Sequence, residues 1–375
     1  MEVGHMKKNR ILKIIKISLI TFLSIIVITG ITGYIIVHSY INKMNLVKDD
    51  NAYEVTEREN ISIEEVEEVE EVEEELIIDG ATDIIDSPQT VIDELEEVIQ
   101  GNTEDDKQEV VSSSDVYNIL LIGCDSREAG GSGRSDAMII VSINSKTKKI
   151  ILTSFLRDIY LKIPFHKNNR LNAAYAYGGA NLLIDTIEEN FQIDIDKYIS
   201  MDFYTFIDVV DSIDGVTLEV KEEYIPIINA YIKEINQHMG VAESNDLLTQ
   251  TGNLVLNGKQ ALGYVRNRYI GTDFERTARQ RMVLQTIFDK IKDSSYKKII
   301  SLSDAVLPQV TTNLSEKKII SLILSFPTFK NYEIEQWSIP MQDTYSFVTI
   351  NRMSVLGINF DKNIDELHKK VYGLQ

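Results

Sequence analysis

An α/β or α+β domain on a mixed sheet is the fold class this sequence predicts, on three observations. The apolar runs VYNILLIG, AMIIVSIN and KIILTSF follow one another closely after Asp115, with the turn-prone NSKTKK between the last two, which suits a meander of strands. Beyond them, GGANLLIDTIEENF carries Leu182, Leu183, Ile187 and Phe191 at helical spacing, and FYTFIDVVDSI repeats the pattern. The short run GVTLEV, the helical GKQALGYVR and ERTARQRMVLQTIFDKI, and a C-terminal third of short strands and helices continue the mixture. At 375 residues the chain is long enough for a sizeable buried core.

Before the domain, Ile17 to Val37 reads ISLITFLSIIVITGITGYIIV without a charge, enough helix to cross a bilayer core of roughly 30 Å. Lys7, Lys8, Arg10, Lys13 and Lys16 precede it, and Asp49, Asp50 and Glu54 follow, so residues 1–16 are expected in the cytoplasm and everything after Val37 outside. The exit, Val37-His38-Ser39-Tyr40, lacks the small-residue pattern of a cleavage site, which favours an uncleaved signal anchor. Gly30 and Gly33 lack the dimerising spacing, and the oligomeric state is left open.

The next segment, 43–114, is expected to be an extended acidic stalk. Its EEVEEVEEVEEEL run repels itself, and Val66, Val69 and Val72 bury too little for a coiled coil. Between residues 45 and 114 there are 25 Asp and Glu against Lys48, Arg58 and Lys107. The net charge of −20 therefore belongs to the stalk, and the folded part is close to neutral. Nucleic acid is accordingly not an expected partner, and no more than sixteen residues precede the membrane segment, too few for a DNA-binding domain. The single cysteine, Cys124, excludes an intramolecular disulfide, and the five histidines lack zinc spacing, so any metal should be a hard ion held by oxygen.

Charged residues collect at the ends of the strand-like runs, where loops carry sites. Asp125 follows the first strand and Asp136 opens the second, so adjacent strands would bring together two carboxylates of the kind that share magnesium or manganese with a phosphate. The intervening AGGSGRS reads as a flexible flap, since it lacks the phosphate-loop pattern. Arg157-Asp158 ends the third strand. Arg266-Asn267-Arg268 precedes Asp273, Arg276 and Arg279-Gln280. An extended 264–269 would place Arg266 and Arg268 on one face, and a helical 275–290 would do the same for Arg276 and Arg279. Guanidinium groups clamp phosphate through paired donors and stay charged, so this cluster suits a diphosphate. Arg281 is read as part of a solvated helix face, with Glu275 and Asp289 as partners. No G-x-S-x-G elbow or H-E-x-x-H motif is present.

In order, NILLIGCDSR, RSDAMIIVSIN, SFLRD, LNAAYAYGGA, DGV, LNGKQALGYVRNR and DFERTARQ resemble the LytR-CpsA-Psr family of bacterial cell-wall enzymes over residues 115–295, with 296–375 expected to continue the same domain. The resemblance implies an α/β fold in which helices flank a mixed central sheet and a hydrophobic tunnel takes a polyprenyl chain. It also implies a single N-terminal anchor, with the catalytic domain on the outer face of a Gram-positive type of envelope. The implied activity is transfer of a glycopolymer, such as wall teichoic acid or capsular polysaccharide, from polyprenyl diphosphate to peptidoglycan. Asp125 and Asp136 match the family's magnesium-associated aspartates. Arg157, Arg266, Arg268, Arg276 and Arg279 match its pyrophosphate-binding arginines, with Gln280 completing the motif. Arg157, Arg266 and Arg268 would also stabilise the reacting diphosphate, and either Asp158 or Asp273 serves as the base or the hydroxyl loses its proton late. Two departures stand out: Ser154-Phe155-Leu156-Arg157 lacks a usual proline, and Phe274-Glu275 stands where a glycine usually precedes the first arginine. Hydrolysis of the same diphosphate and binding without turnover are the alternatives, and 221–255 carries no readable code for the sugar.

Overall fold

The computed structural model describes residues 45–47, 85–103, 110–125, 134–292 and 310–374. The expected membrane segment 17–37, most of the acidic segment and most of the glycine-rich flap lie outside these residues. Among the described residues, no helix is long and apolar enough to cross a membrane.

In chain order the elements are β1 (Asn45–Leu46), α1 (Gln89–Asn102), β2 (Val116–Cys124), β3 (Ser135–Asn144), β4 (Lys149–Phe155), β5 (Tyr160–Leu161) and β6 (Asn169–Arg170). They continue with α2 (Leu171–Phe191), β7 (Lys197–Met201), α3 (Phe203–Ser212), β8 (Val216–Val220), α4 (Ile225–His238), β9 (Gly252–Leu256), α5 (Gly258–Arg266) and α6 (Asp273–Lys292). The last are β10 (Thr311–Thr312), α7 (Glu316–Phe329), β11 (Glu333–Ile339), β12 (Tyr345–Ile350), β13 (Met353–Ile358) and α8 (Phe360–Tyr372).

A seven-stranded sheet runs β1-β10-β7-β2-β3-β4-β11. The expected meander is its centre: β2, β3 and β4 pair antiparallel, while β7 joins β2 and β11 joins β4 in parallel. The turn after β3 forms because the Asn144 side chain accepts from the amides of Lys146 and Thr147. Strands alternate their side chains, and both sheet faces are covered. Met138 and Ile140 of β3 meet the core of α2 and α8, with Leu183, Ile187, Phe191 and Leu367. Ile139, Ile150 and Leu152 turn the other way, toward Leu284 and Phe288 of α6. A third core, built from Ile207, Val216, Ile228, Ile232 and Leu262, fastens α3, β8, α4 and α5 beside it.

Two expectations change here. Residues 89–102, assigned to an extended stalk, form a helix that buries Leu95 and Ile99. The Glu96 carboxylate accepts from Tyr160 Oη at 3.1 Å and from the Asn168 amide, and Asn102 Nδ2 donates to the Asn190 carbonyl at 3.0 Å. Ile92, Leu95 and Ile99 provide an apolar stripe that offsets the ordering cost, whereas the surrounding charge dominates any average over the segment. The second concerns 264–269, which is not extended. Arg266 is the last residue of α5, and the Asn267 side chain then accepts from the amides of Tyr269 and Ile270, closing a turn that presents Arg268.

Candidate active site

The C-terminal ends of β2 and β4, the start of β3, the end of α5 and the first turns of α6 supply the charged residues. Asp125 leaves β2 just after a register shift at Gly123 and Cys124, and its amide donates to the Arg134 carbonyl at 3.1 Å, so the chain returns beside it to deliver Asp136. α5 is set by a capping box between Asn257 and Gln260 and by the Gly258 amide, which donates to Asp211 at 2.7 Å. A side chain at Gly258 would run into the Ile207 backbone, so α5 starts directly against α3 and ends with Arg266 facing Asp125.

Asp136 is the centre of the cluster. Arg268 Nη2 donates to both of its carboxylate oxygens, at 2.6 and 2.7 Å, and Arg157 Nη1 lies 3.4 Å away. Burial alone would raise its pKa, but Arg268, Arg157, Arg276 and Arg266 outweigh that and hold it at about 2. Arg157 Nε is 3.6 Å from Asp158 and 3.9 Å from Asp273, which accepts from Arg276 Nη2 at 2.9 Å. Burial pushes the Asp158 carboxyl up, with Arg157 opposing and Asp273 adding to it.

Arg266 stands at the other side of the cluster, its guanidinium 4.2 Å from the Phe203 ring centre and 4.6 Å from that of Tyr231. Its nitrogens approach Asp125 and Glu234, each at 3.8 Å. Arg279 points away from Asp136 and donates to the Asn267 carbonyl at 2.5 Å, so it braces the turn that carries Arg268. Arg276 and Arg279 share a buried face of α6, as expected, but take different partners, Asp273 for Arg276 and the Asn267 carbonyl for Arg279. Gln280 Oε1 is buried without a hydrogen-bond partner, as are Nε and Nη1 of Arg276. Arg281 is not solvated: it is 7% exposed, and burial lowers its pKa to about 10. Its expected partners are engaged elsewhere, Glu275 with the Thr272 amide and Asp289 with Lys292.

Sequence reasoning missed Arg170, whose Nη1 lies 3.5 Å from Asp158, and also Phe203, Tyr231 and Glu234. Arg170 directly precedes the LNAAYAYGGA motif, a signal that was available. The others come from α3 and α4, and no spacing links them to Arg266. For a metal, the described residues hold no group of three or more His, Cys, Asp or Glu side chains. Asp125 and Asp136 are the oxygen ligands expected to hold magnesium together with phosphate and water, and here both Asp136 oxygens accept from Arg268.

A model of the LytR_cpsA_psr family matches residues 85–369. Over 224 residues the chain is 34% identical to the polyisoprenyl-teichoic acid–peptidoglycan teichoic acid transferase TagT of Bacillus subtilis (strain 168), an alignment that spans 58% of this chain and 66% of that relative. It is 30% identical over 258 residues to the regulatory protein MsrR of Staphylococcus aureus (strain COL), covering 68% of this chain and 73% of that one. Among solved structures, YwtF (TagT) with bound octaprenyl pyrophosphate lipid superposes with a TM-score of 0.53 at 27% identity, covering 73% of this chain and 96% of the other.

Proposed function

Because the chain belongs to the LytR-CpsA-Psr family, we propose that it transfers a glycopolymer from a polyprenyl diphosphate carrier to peptidoglycan, leaving a phosphodiester and releasing polyprenyl phosphate. The observation that carries this reading is the state of Arg276. Two of its nitrogens are buried without a hydrogen-bond partner, inside a cluster that also holds Arg157 and Arg268. Unsatisfied buried donors are costly, and close guanidinium groups repel one another, so the site is completed by an anion with several oxygens. A diphosphate supplies them, in keeping with the octaprenyl pyrophosphate carried by the TagT structure.

Arg157, Arg268 and Arg276 would hold the diphosphate and stabilise charge as the bridging P–O bond lengthens. Asp158 and Asp273 fix those arginines, and Asp136 orients Arg268. Asp125 and Asp136 would hold magnesium, which when bound neutralises further phosphate charge. A sugar hydroxyl of peptidoglycan attacks the polymer-proximal phosphorus. In this reading residues 17–37 anchor the chain in the cell membrane with the N-terminus inside, which places the site outside, where the acceptor lies.

The test uses the full chain, a polyprenyl-diphosphate saccharide, magnesium and peptidoglycan oligomers, with product followed by mass spectrometry. Wild type is expected to form the phosphodiester, and Arg157→Ala to lower its rate by roughly 100-fold or more. Saccharide phosphate released equally well without acceptor would show a pyrophosphatase instead. Product formation indifferent to Arg157→Ala would overturn the site assignment.

A further inference from the structure

Phe274, at one of the chain's two departures from the family pattern, takes no part in the arginine cluster but directly follows Asp273. The Asp273 carboxylate holds Arg276 at 2.9 Å and lies 3.9 Å from Arg157. The Phe274 ring meets that of Tyr345, with centres 4.9 Å apart and planes 33° apart, and the Tyr345 ring meets Phe347 edge-on at 5.7 Å. Phe347 is 72% exposed. Resting on the reading of the cluster as a diphosphate site, we propose that these three rings form a track for the donor saccharide, on which its sugars rest as they extend from the diphosphate.

The hairpin of β12 and β13 supplies two of the rings. Asn351 and Arg352 close it as a two-residue turn with positive φ at both positions, which suits the twist of the paired strands and sets Tyr345 opposite Ile358 and Phe347 opposite Leu356. Alternation along β12 sends Val348 and Ile350 into the core and Tyr345 and Phe347 to the other side. Two contacts hold the hairpin against the cluster: the Leu356 amide donates to the Asp158 carbonyl at 2.8 Å, and Arg170 Nη2 donates to Met353 Sδ at 3.7 Å. From outside, the Ser87 amide donates to the Thr349 carbonyl at 2.9 Å. Phe347 is thus the cross-strand neighbour of a residue bonded to Asp158, while Phe274 approaches from α6.

The chemistry of the patch selects a sugar. A pyranose carries apolar C–H groups on its faces and hydroxyls around its edge, so it suits an aromatic ring set among polar groups. Gln342, Asp343 and Ser346, all exposed, supply those groups. A prenyl chain needs an enclosed apolar channel, and a ring as open as Phe347 would leave it in water. Of the two glycans in the reaction, only the donor is covalently tied to the diphosphate, so its sugars must start beside the clamp, where Phe274 stands. The steps of 4.9 and 5.7 Å between ring centres are on the scale of one sugar residue, which lets successive sugars rest along the track. Contacts made there, away from the reacting phosphorus, add donor affinity and help to hold that phosphorus in line for attack.

The experiment uses the full-length chain in detergent. It measures affinity for a polyprenyl diphosphate carrying an N-acetylglucosamine disaccharide, affinity for the same diphosphate without sugar, and the KM for peptidoglycan oligomers. Phe347→Ala is expected to weaken binding of the disaccharide lipid about fivefold and to leave the sugar-free lipid and the acceptor KM within about twofold of wild type. Phe347→Trp, which keeps an aromatic face, is expected to retain the affinity for the disaccharide lipid. Equal weakening of both lipids would put the prenyl chain on the rings, and a rise in acceptor KM alone would put the peptidoglycan strand there. Either result overturns the proposal, as does Phe347→Ala that changes none of the three quantities. Wild type that binds neither lipid overturns the diphosphate reading, and this assignment with it.

Discussion

Asp136 ties the site to pH at the scale of a single residue. Its folded pKa of about 2 lies below the ordinary value of 3.8, so its ionised form stabilises the fold at neutral pH and that contribution disappears as pH falls from about 4 through 2. The size is on the order of 2 kcal/mol. Unfolding free energy measured from pH 6 to pH 2 should fall more steeply in wild type than in Asp136→Asn, which lacks this carboxylate. Equal slopes would show that the arginines do not hold it. The residues that make up this cluster were largely legible, because the charged groups sit at the ends of strands and helices or in the turns beside them. Arg281 was not: a helical arginine reads as solvated from sequence alone, and its burial depends on the sheet packed against α6.

Between elements, the junction of α2 and β7 works in the opposite sense. Burial pushes Glu188 up to about 7, against the hydrogen bond from the Ile195 amide at 2.7 Å, with Asp194, Asp185 and Asp196 adding to the rise. The folded chain keeps this proton where the unfolded one has lost it, so stability drops as pH climbs from 4.5 through 7. Glu188→Gln should raise Tm by roughly 5 °C at pH 8 and leave it nearly unchanged at pH 4. A Tm gain of the same size at both values would refute the account. Elements with a continuous apolar run, β2 to β4, were readable, as were α2 from Gly178 onward and α6. The first turns of α2 were not assigned, because Gly178 and Gly179 break the helix with non-helical backbone angles. α4 went unread although Ile225, Ile228, Ile232 and Ile235 keep helical spacing behind Pro226, since Asn, Gln and His between them dilute the pattern. Its contribution to the site was hidden with it.

Across the whole molecule, α1 is part of the fold and not of its attachment. Leu95 and Ile99 together bury about 3–6 kcal/mol of apolar contact. A chain starting at residue 85 should melt within a few degrees of full length, whereas one starting at 104 should melt about 10 °C lower by circular dichroism. Equal melting of the two would place α1 outside the cooperative unit. Composition misled here because net charge is averaged over tens of residues, while a helix needs only a few apolar positions on one side.

The pairing of β1 alters how far the domain can stand from its anchor. Asn45 and Leu46 are stitched to Thr311 and Thr312 at the sheet edge, and the Ser87 amide donates to Thr349, so the acidic chain from 48 to 84 has both ends on the domain. The residues between these two attachments therefore add nothing to the distance between residue 45 and whatever precedes it. With the membrane anchor ending at Val37 as proposed, the leash is residues 38–44 alone, at most about 25 Å when fully stretched. The catalytic cleft would then patrol the layer next to the bilayer, within range of a carrier whose lipid stays in the membrane, and the acceptor strand would have to come down to it.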